Sequence, residues 1–162
     1  MKYCLIMIFV FLQILCGSYT YAGNYEVSVT RKDSNVYTVS ASDIIIITRY
    51  CYEYAYSESA ILKSSGYGGK LIFLDKGTSC DVKTVYGKEE IPAGNYTVQV
   101  SRDNDNWYEI FGKDKFIQTS MCLSLALGEE ATLKLNSYGG GKLIFDSGTS
   151  CMVEGVYSQM KL

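Results

Sequence analysis

The chain has 162 residues, with 15 basic and 17 acidic side chains, six cysteines, one proline, one tryptophan and no histidine. Without histidine, the chain cannot form a catalytic triad that uses a histidine base, and it has no histidine metal ligand. The pI near 5.2 and the scattered lysines argue against a nucleic-acid partner, which needs a clustered basic face.

The N-terminal segment at 1–22 has the pattern of a secretory signal peptide. Residues 4–16 form an apolar run with Gln13 as its polar interruption, and residues 20–22 (TYA) offer a small-x-small cleavage site. The run is too short for a comfortable membrane span, so we expect none after its removal. A lipid anchor on Cys16 is the alternative, but Gln13 stands where lipoprotein signals have an aliphatic residue. The predicted location is secreted: extracellular, periplasmic or at the cell surface.

The mature part of the chain contains an internal repeat. Residues 24–86 align with residues 95–157 at an offset of 71, and 31 of the 63 aligned positions are identical. The alignment needs only two compensating single-residue gaps: Gly141 is an extra residue in the second unit, and Leu74 has no counterpart there. This pattern indicates a tandem duplication. The expected organisation is a signal peptide at 1–22, a first unit at 23–88, a linker at 89–94 and a second unit at 95–162.

Both units have the pattern of antiparallel β-strands. In chain order, strands are predicted around residues 25–29, 37–39, 44–56, 60–64 and 70–73 and from Cys80, with counterparts around 96–100, 108–110, 115–127, 131–135 and 142–145 and from Cys151. Polar turns separate the strands, and no convincing helical period is present. We therefore predict an all-β fold in which each unit of about 70 residues forms a small meander-type sandwich or barrel.

The duplication also predicts the disulfide pairing. Four cysteines remain after signal removal, and four cysteines allow three pairings. Each unit carries two of them at equivalent positions, so the simplest expectation is one bridge per unit, Cys51–Cys80 and Cys122–Cys151. A bridge that closes a loop of about 30 residues should stabilise each unit by roughly 3–4 kcal/mol. The cysteines lack the clustered spacing of a zinc site, and no metal or other cofactor is expected.

The end of the predicted third strand carries a possible binding surface. Tyr50, Tyr52, Tyr54 and Tyr56 share one face at a spacing of two, and Met121, Leu123, Leu125 and Leu127 take these places in the second unit. The apolar counterparts predict that this face is buried, as core or as packing between units. The alternative is an exposed aromatic strip that binds a glycan or a protein partner.

One motif resembles a catalytic signature. Asp146 begins a DSGTS sequence after an apolar strand, which resembles the hydrophobic-Asp-Ser/Thr-Gly motif of aspartic proteases, and Asp75 begins its counterpart. Two copies would supply the paired carboxylates that such enzymes use. However, Lys76 breaks the first motif, and the segment after Asp146, at 147–162, is too short to support a catalytic loop. We predict hairpin turns in which Gly77 and Gly148 adopt a positive φ.

These patterns predict a secreted or cell-envelope protein that is not an enzyme. Its expected role is that of an interaction module or of a subunit in an extracellular assembly, with a protein partner or a second copy of the chain. Open strand edges would suit such contacts. Glycan binding through the tyrosines is the alternative function, and an aspartic-type hydrolase is a remote one.

Overall fold

The computed structural model describes residues 23–64, 69–104 and 106–161, and the predicted signal peptide lies outside them. Within these residues the chain forms twelve β-strands. The first unit contains β1 (Asn24–Asp33), β2 (Val36–Val39), β3 (Ile44–Arg49), β4 (Glu58–Ser64), β5 (Gly69–Phe73) and β6 (Ser79–Lys88). The second contains β7 (Gly94–Asn104), β8 (Trp107–Ile110), β9 (Lys115–Ser120), β10 (Glu129–Leu135), β11 (Gly141–Phe145) and β12 (Ser150–Gln159).

Each unit closes into a six-stranded barrel. In the first, antiparallel pairing runs β1-β2-β3-β6-β5-β4 and returns to β1. The second repeats this order as β7-β8-β9-β12-β11-β10 and returns to β7. Alternate side chains such as Val29, Tyr37 and Phe73 point inward and form the core of the first barrel. The predicted all-β fold of duplicated units is confirmed.

The order of strands differs from the simple meander expected from the sequence. β3 pairs with β6, and β4 pairs with β1, so β3 and β4 stand on opposite sides of the ring. The chain between them must therefore cross the open end of the barrel. Residues 50–57 make this crossing in the first unit and residues 121–128 in the second, and we call them the crossover segments.

Both predicted disulfides are present. Cys51 is bonded to Cys80, with Cα atoms 5.4 Å apart, and Cys122 is bonded to Cys151, with Cα atoms 5.2 Å apart. Each bridge ties the start of a crossover segment to the start of the final strand of its barrel. Structural disulfides of this kind are typical of proteins in oxidising compartments.

The two barrels are joined by a short ladder between β6 and β12. The ladder pairs Tyr86 with Gln159, Gly87 with Ser158, and Lys88 with Tyr157. Gly87 and Ser158 are equivalent positions of the duplication, so the antiparallel ladder places an approximate two-fold axis between them. The two units therefore meet as a symmetric pair of copies would.

A separate apolar cluster fills the junction between the barrels. Tyr86 stacks on Trp107 with ring centroids 4.9 Å apart, and Tyr157 meets the edge of Trp107 at 5.3 Å. Ile45 and Ile47 of β3 also belong to this cluster, while Ile46 between them faces the first barrel's core. Alternate side chains of β3 therefore pack into the first barrel core and into the cluster between the barrels.

The predicted third strand is too long in both units. β3 ends at Arg49 and β9 ends at Ser120, because the next residues adopt left-handed backbone conformations. Tyr50 has a φ of 51° and Met121 has a φ of 50°. A residue of this kind breaks the alternation of a strand, so the side chains after it change faces.

Across the described parts of the chain, no helix has the length and apolar character needed to cross a bilayer.

Candidate functional site: two exposed apolar strips

The first crossover segment displays a row of tyrosines to solvent. Its inward residues Cys51 and Ala55 are buried and cover the end of the barrel core. Its outward residues are 71–87% exposed, and we call them the Tyr strip: Tyr50, Tyr52, Tyr54 and Tyr56. The expectation that these rings are core or inter-unit packing is wrong, because the left-handed Tyr50 reverses which alternate residues face inward.

The second crossover segment displays an aliphatic row in the same way. Cys122 and Ala126 are buried against the second barrel core. The outward residues are 80–92% exposed, and we call them the Leu strip: Met121, Leu123, Leu125 and Leu127. Apolar residue type was therefore a misleading sign of burial at these positions. Contiguous exposed apolar patches are uncommon on monomeric soluble proteins, which makes both strips candidates for a functional surface.

A buried tyrosine holds each crossover segment from below. The Tyr37 hydroxyl donates a hydrogen bond to the Glu53 carbonyl at 2.6 Å, and the Tyr108 hydroxyl donates one to the Ser124 carbonyl at 2.6 Å. The same hydroxyls lie 3.1 Å and 3.0 Å from a sulfur of the neighbouring disulfide. Burial raises the pKa of both tyrosines, so both remain neutral donors.

Backbone contacts fix the segments further. The Arg31 amide donates to the Ala55 carbonyl at 2.9 Å, and the Asn35 side-chain oxygen accepts a hydrogen bond from the Cys51 amide at 2.7 Å. The second unit repeats these contacts from Arg102 to Ala126 at 2.8 Å and from Cys122 to Asn106 at 3.3 Å. Disulfide, tyrosine, asparagine and strand backbone together hold each strip in one extended conformation.

Charged groups surround the Tyr strip. The Lys76 ammonium donates to the Tyr54 carbonyl and to Glu58 Oε2, the latter at 2.8 Å, and lies 3.7 Å from Glu53 Oε2. The hydrogen bond to Glu58 raises the pKa of Lys76. Arg31 adds a hydrogen bond from Nη1 to the Tyr52 carbonyl at 3.4 Å. The first crossover segment is thus also held by cationic side chains.

The surroundings of the Leu strip have a different charge. Two cations at the Tyr strip have no cationic counterpart in the second unit: Ser120 and Ser147 stand where the first unit has Arg49 and Lys76. Exposed Glu130 lies on β10, just after the second crossover segment, where the first unit has Ser59. The Leu strip therefore has fewer cations around it than the Tyr strip.

The two aspartates of the protease-like motif lie in exposed turns. Asp75 follows β5, Asp146 follows β11, and Gly77 and Gly148 have φ values of 65° and 83° as predicted. These turns precede β6 and β12, which run in opposite directions from the β6–β12 ladder, so the turns lie at opposite ends of the molecule. A shared proton requires adjacent carboxyl groups, and this pair is not formed.

A groove of about 770 Å³ lies between the barrels. Its lining includes equivalent residues of both units, namely Asn35 and Asn106, Thr48 and Thr119, and Lys83 and Glu154. Met121 of the Leu strip lies at this groove as well. Within the described residues, no group of three or more cysteine or acidic side chains could hold a metal ion.

The tyrosines of the strip are recognisable in the sequence, but the residues that hold the crossover segments in place were not predicted. Tyr37, Tyr108, Asn35 and Asn106 are identical at equivalent positions of the two units, which was the available signal. Identity between copies does not say which backbone group a side chain will contact. In comparisons with known proteins, no family model matches the chain, and no curated protein or solved structure is significantly similar to it.

Proposed function

We propose that this chain is a secreted, non-enzymatic interaction protein that binds protein surfaces through its two exposed strips. The observation that carries the proposal is the display of four large apolar side chains from each rigidly held crossover segment. Because the segments are fixed before binding, little conformational entropy is lost when a partner covers them. Tyrosine in particular combines a large contact area with few rotatable bonds.

The disulfides and the signal-like sequence at 1–22 support export as the setting for this function. In a reducing compartment, where thiols are kept reduced, the bridges that anchor both crossover segments would not form. The strips would then lose part of their fixed geometry, so the proposed role depends on an oxidising location.

Site-specific photo-crosslinking tests the proposal. A photoreactive phenylalanine analogue replaces Tyr54 in one variant and Leu125 in another, and each oxidised protein is irradiated in the native extracellular fraction. We expect covalent protein adducts from both positions. Phe111 and Tyr138 provide matched controls, because both are exposed and neither belongs to a strip. Adducts of equal yield from the control positions, or none from the strips, would contradict the proposal.

Glycan binding by the Tyr strip is the second candidate, because sugar rings stack on exposed aromatic faces and the first crossover segment displays a row of exposed rings where the second displays an aliphatic row. A glycan array probed with the oxidised protein tests this function. Signal that disappears with Tyr52→Ala plus Tyr54→Ala, and persists with Leu123→Ala plus Leu125→Ala, would support it. An array without signal would remove it.

A further inference from the structure

We propose that the partner of each strip is the unlike strip of a second copy, so that molecules associate end to end. This inference rests on the proposed function of the strips as protein-binding surfaces and names the partner. The Tyr strip of one molecule covers the Leu strip of the next. A contact between two different surfaces of the same molecule leaves one free surface at each end of the product, so assembly continues into chains.

The two strips begin on opposite sides of the β6–β12 ladder. Cys80 and Cys151, which hold the crossover segments, each stand seven residues before the Gly87–Ser158 pair of the antiparallel ladder. Because the two strands run in opposite directions, the bridges lie on opposite sides of that pair. Each strip can therefore contact a different neighbouring copy.

The Tyr strip exposes enough area for a stable interface. A buried aromatic side chain contributes roughly 150–250 Å². At the observed exposures of 71–87%, the Tyr strip offers roughly 470–780 Å². Stable interfaces bury roughly 800 Å² on each partner. The strip and the polar rim around it therefore provide an interface of ordinary size, and the Leu strip is exposed to at least the same degree.

Charge favours the unlike pairing. Exposed Arg49 directly precedes Tyr50, and Lys76 donates to the Tyr54 carbonyl, whereas serines replace both cations in the second unit and exposed Glu130 follows the Leu strip on β10. Contact between unlike strips brings cations toward carboxylates. Contact between two Leu strips would instead bring carboxylates together, which disfavours association of like ends.

Complementation between two variants tests the inference. One variant carries Tyr52→Ser and Tyr54→Ser, and the other carries Leu123→Ser and Leu125→Ser; these side chains are exposed, so both variants should keep the fold and its bridges. In sedimentation velocity we expect the unaltered protein to grow beyond dimer as concentration rises. Each variant alone should self-associate at least about tenfold more weakly than the unaltered protein. It should therefore sediment as a monomer at concentrations at which the unaltered protein assembles. An equimolar mixture should form a dimer and stop there, because each variant retains one unlike strip.

Two results would overturn the inference. The unaltered protein could stay monomeric at high concentration, or a single variant could form dimers through its intact strip, which would mean that like strips associate. A control variant with Phe111→Ser and Tyr138→Ser removes two exposed apolar side chains outside the strips and should assemble normally. If it fails to assemble, general surface hydrophobicity drives the association and the inference falls.

The outcome is separable from that of the proposed function. If the protein stays monomeric while photoreactive positions 54 and 125 still capture another protein, only the second-copy partner is refuted. If positions 54 and 125 capture nothing and the protein is monomeric, both proposals fail. Adducts between position 54 of one copy and the Leu strip of another, located by peptide mapping, support both.

Discussion

Replacement of Tyr108 by phenylalanine tests how the Leu strip is held. The change removes one hydroxyl from a closely packed core and leaves the ring, which lies 5.7 Å from that of Phe145, in place. The Ser124 carbonyl then loses its donor at 2.6 Å. A carbonyl that loses its partner costs about 1–3 kcal/mol when buried, and Ser124 is only partly buried. We therefore expect the unfolding free energy to fall by about 1–1.5 kcal/mol in denaturant titrations.

Hydrogen exchange locates the effect. The amides of Cys122 and Gly128 donate to side chains at the two ends of the second crossover segment. The Tyr108→Phe substitution should accelerate exchange at these two amides, relative to the unaltered protein, more than at amides of the barrel strands. The matched Tyr37→Phe variant should loosen its segment less, because Lys76 also donates to that segment's backbone. If Tyr108→Phe changes neither the unfolding free energy nor the exchange at these amides, the hydroxyl does not hold the segment.

Three further outcomes are expected. Joint replacement of Cys122 and Cys151 by serine should lower the unfolding free energy by about 3–4 kcal/mol, with exchange rising mainly in the second unit; peptide mapping that instead finds cross-unit bridges in the unaltered protein would refute the pairing. Burial raises the pKa of Tyr86 and Tyr157 to about 12. Their contribution to stability should therefore be complete below about pH 10, the unfolded-state pKa, and should be lost toward pH 12, by about 2 kcal/mol each; tyrosinate absorbance followed with pH checks this. Tyr86→Ala should cost about 3–4 kcal/mol and shift the emission of Trp107, the sole tryptophan, to longer wavelength; unchanged emission would place Trp107 outside the junction core.

The sequence predicted those parts of the fold that depend on alternation and duplication. The strands, the hairpin turns at Gly77 and Gly148 and both bridges follow from patterns repeated in the two units. The four tyrosines were named as a possible binding surface, but the favoured expectation buried them, whereas the alternative of an exposed strip matches the structure. Its geometry depends on a left-handed residue at Tyr50, and no glycine or asparagine marks that position. The strand order could not be predicted either, because it depends on contacts between distant strands.

The ladder between β6 and β12 has a consequence for biogenesis. Residues 86–88 of β6 are made about 70 residues before their partners at 157–159. At roughly 5–20 residues per second, this interval lasts roughly 4–14 s. The first barrel can close on its own through β5, but this part of the β6 edge and the apolar side chains of Ile45 and Ile47 wait for the second unit. During that interval a neighbouring nascent chain can compete for the same edge, so crowded synthesis raises the fraction of strand-exchanged dimers.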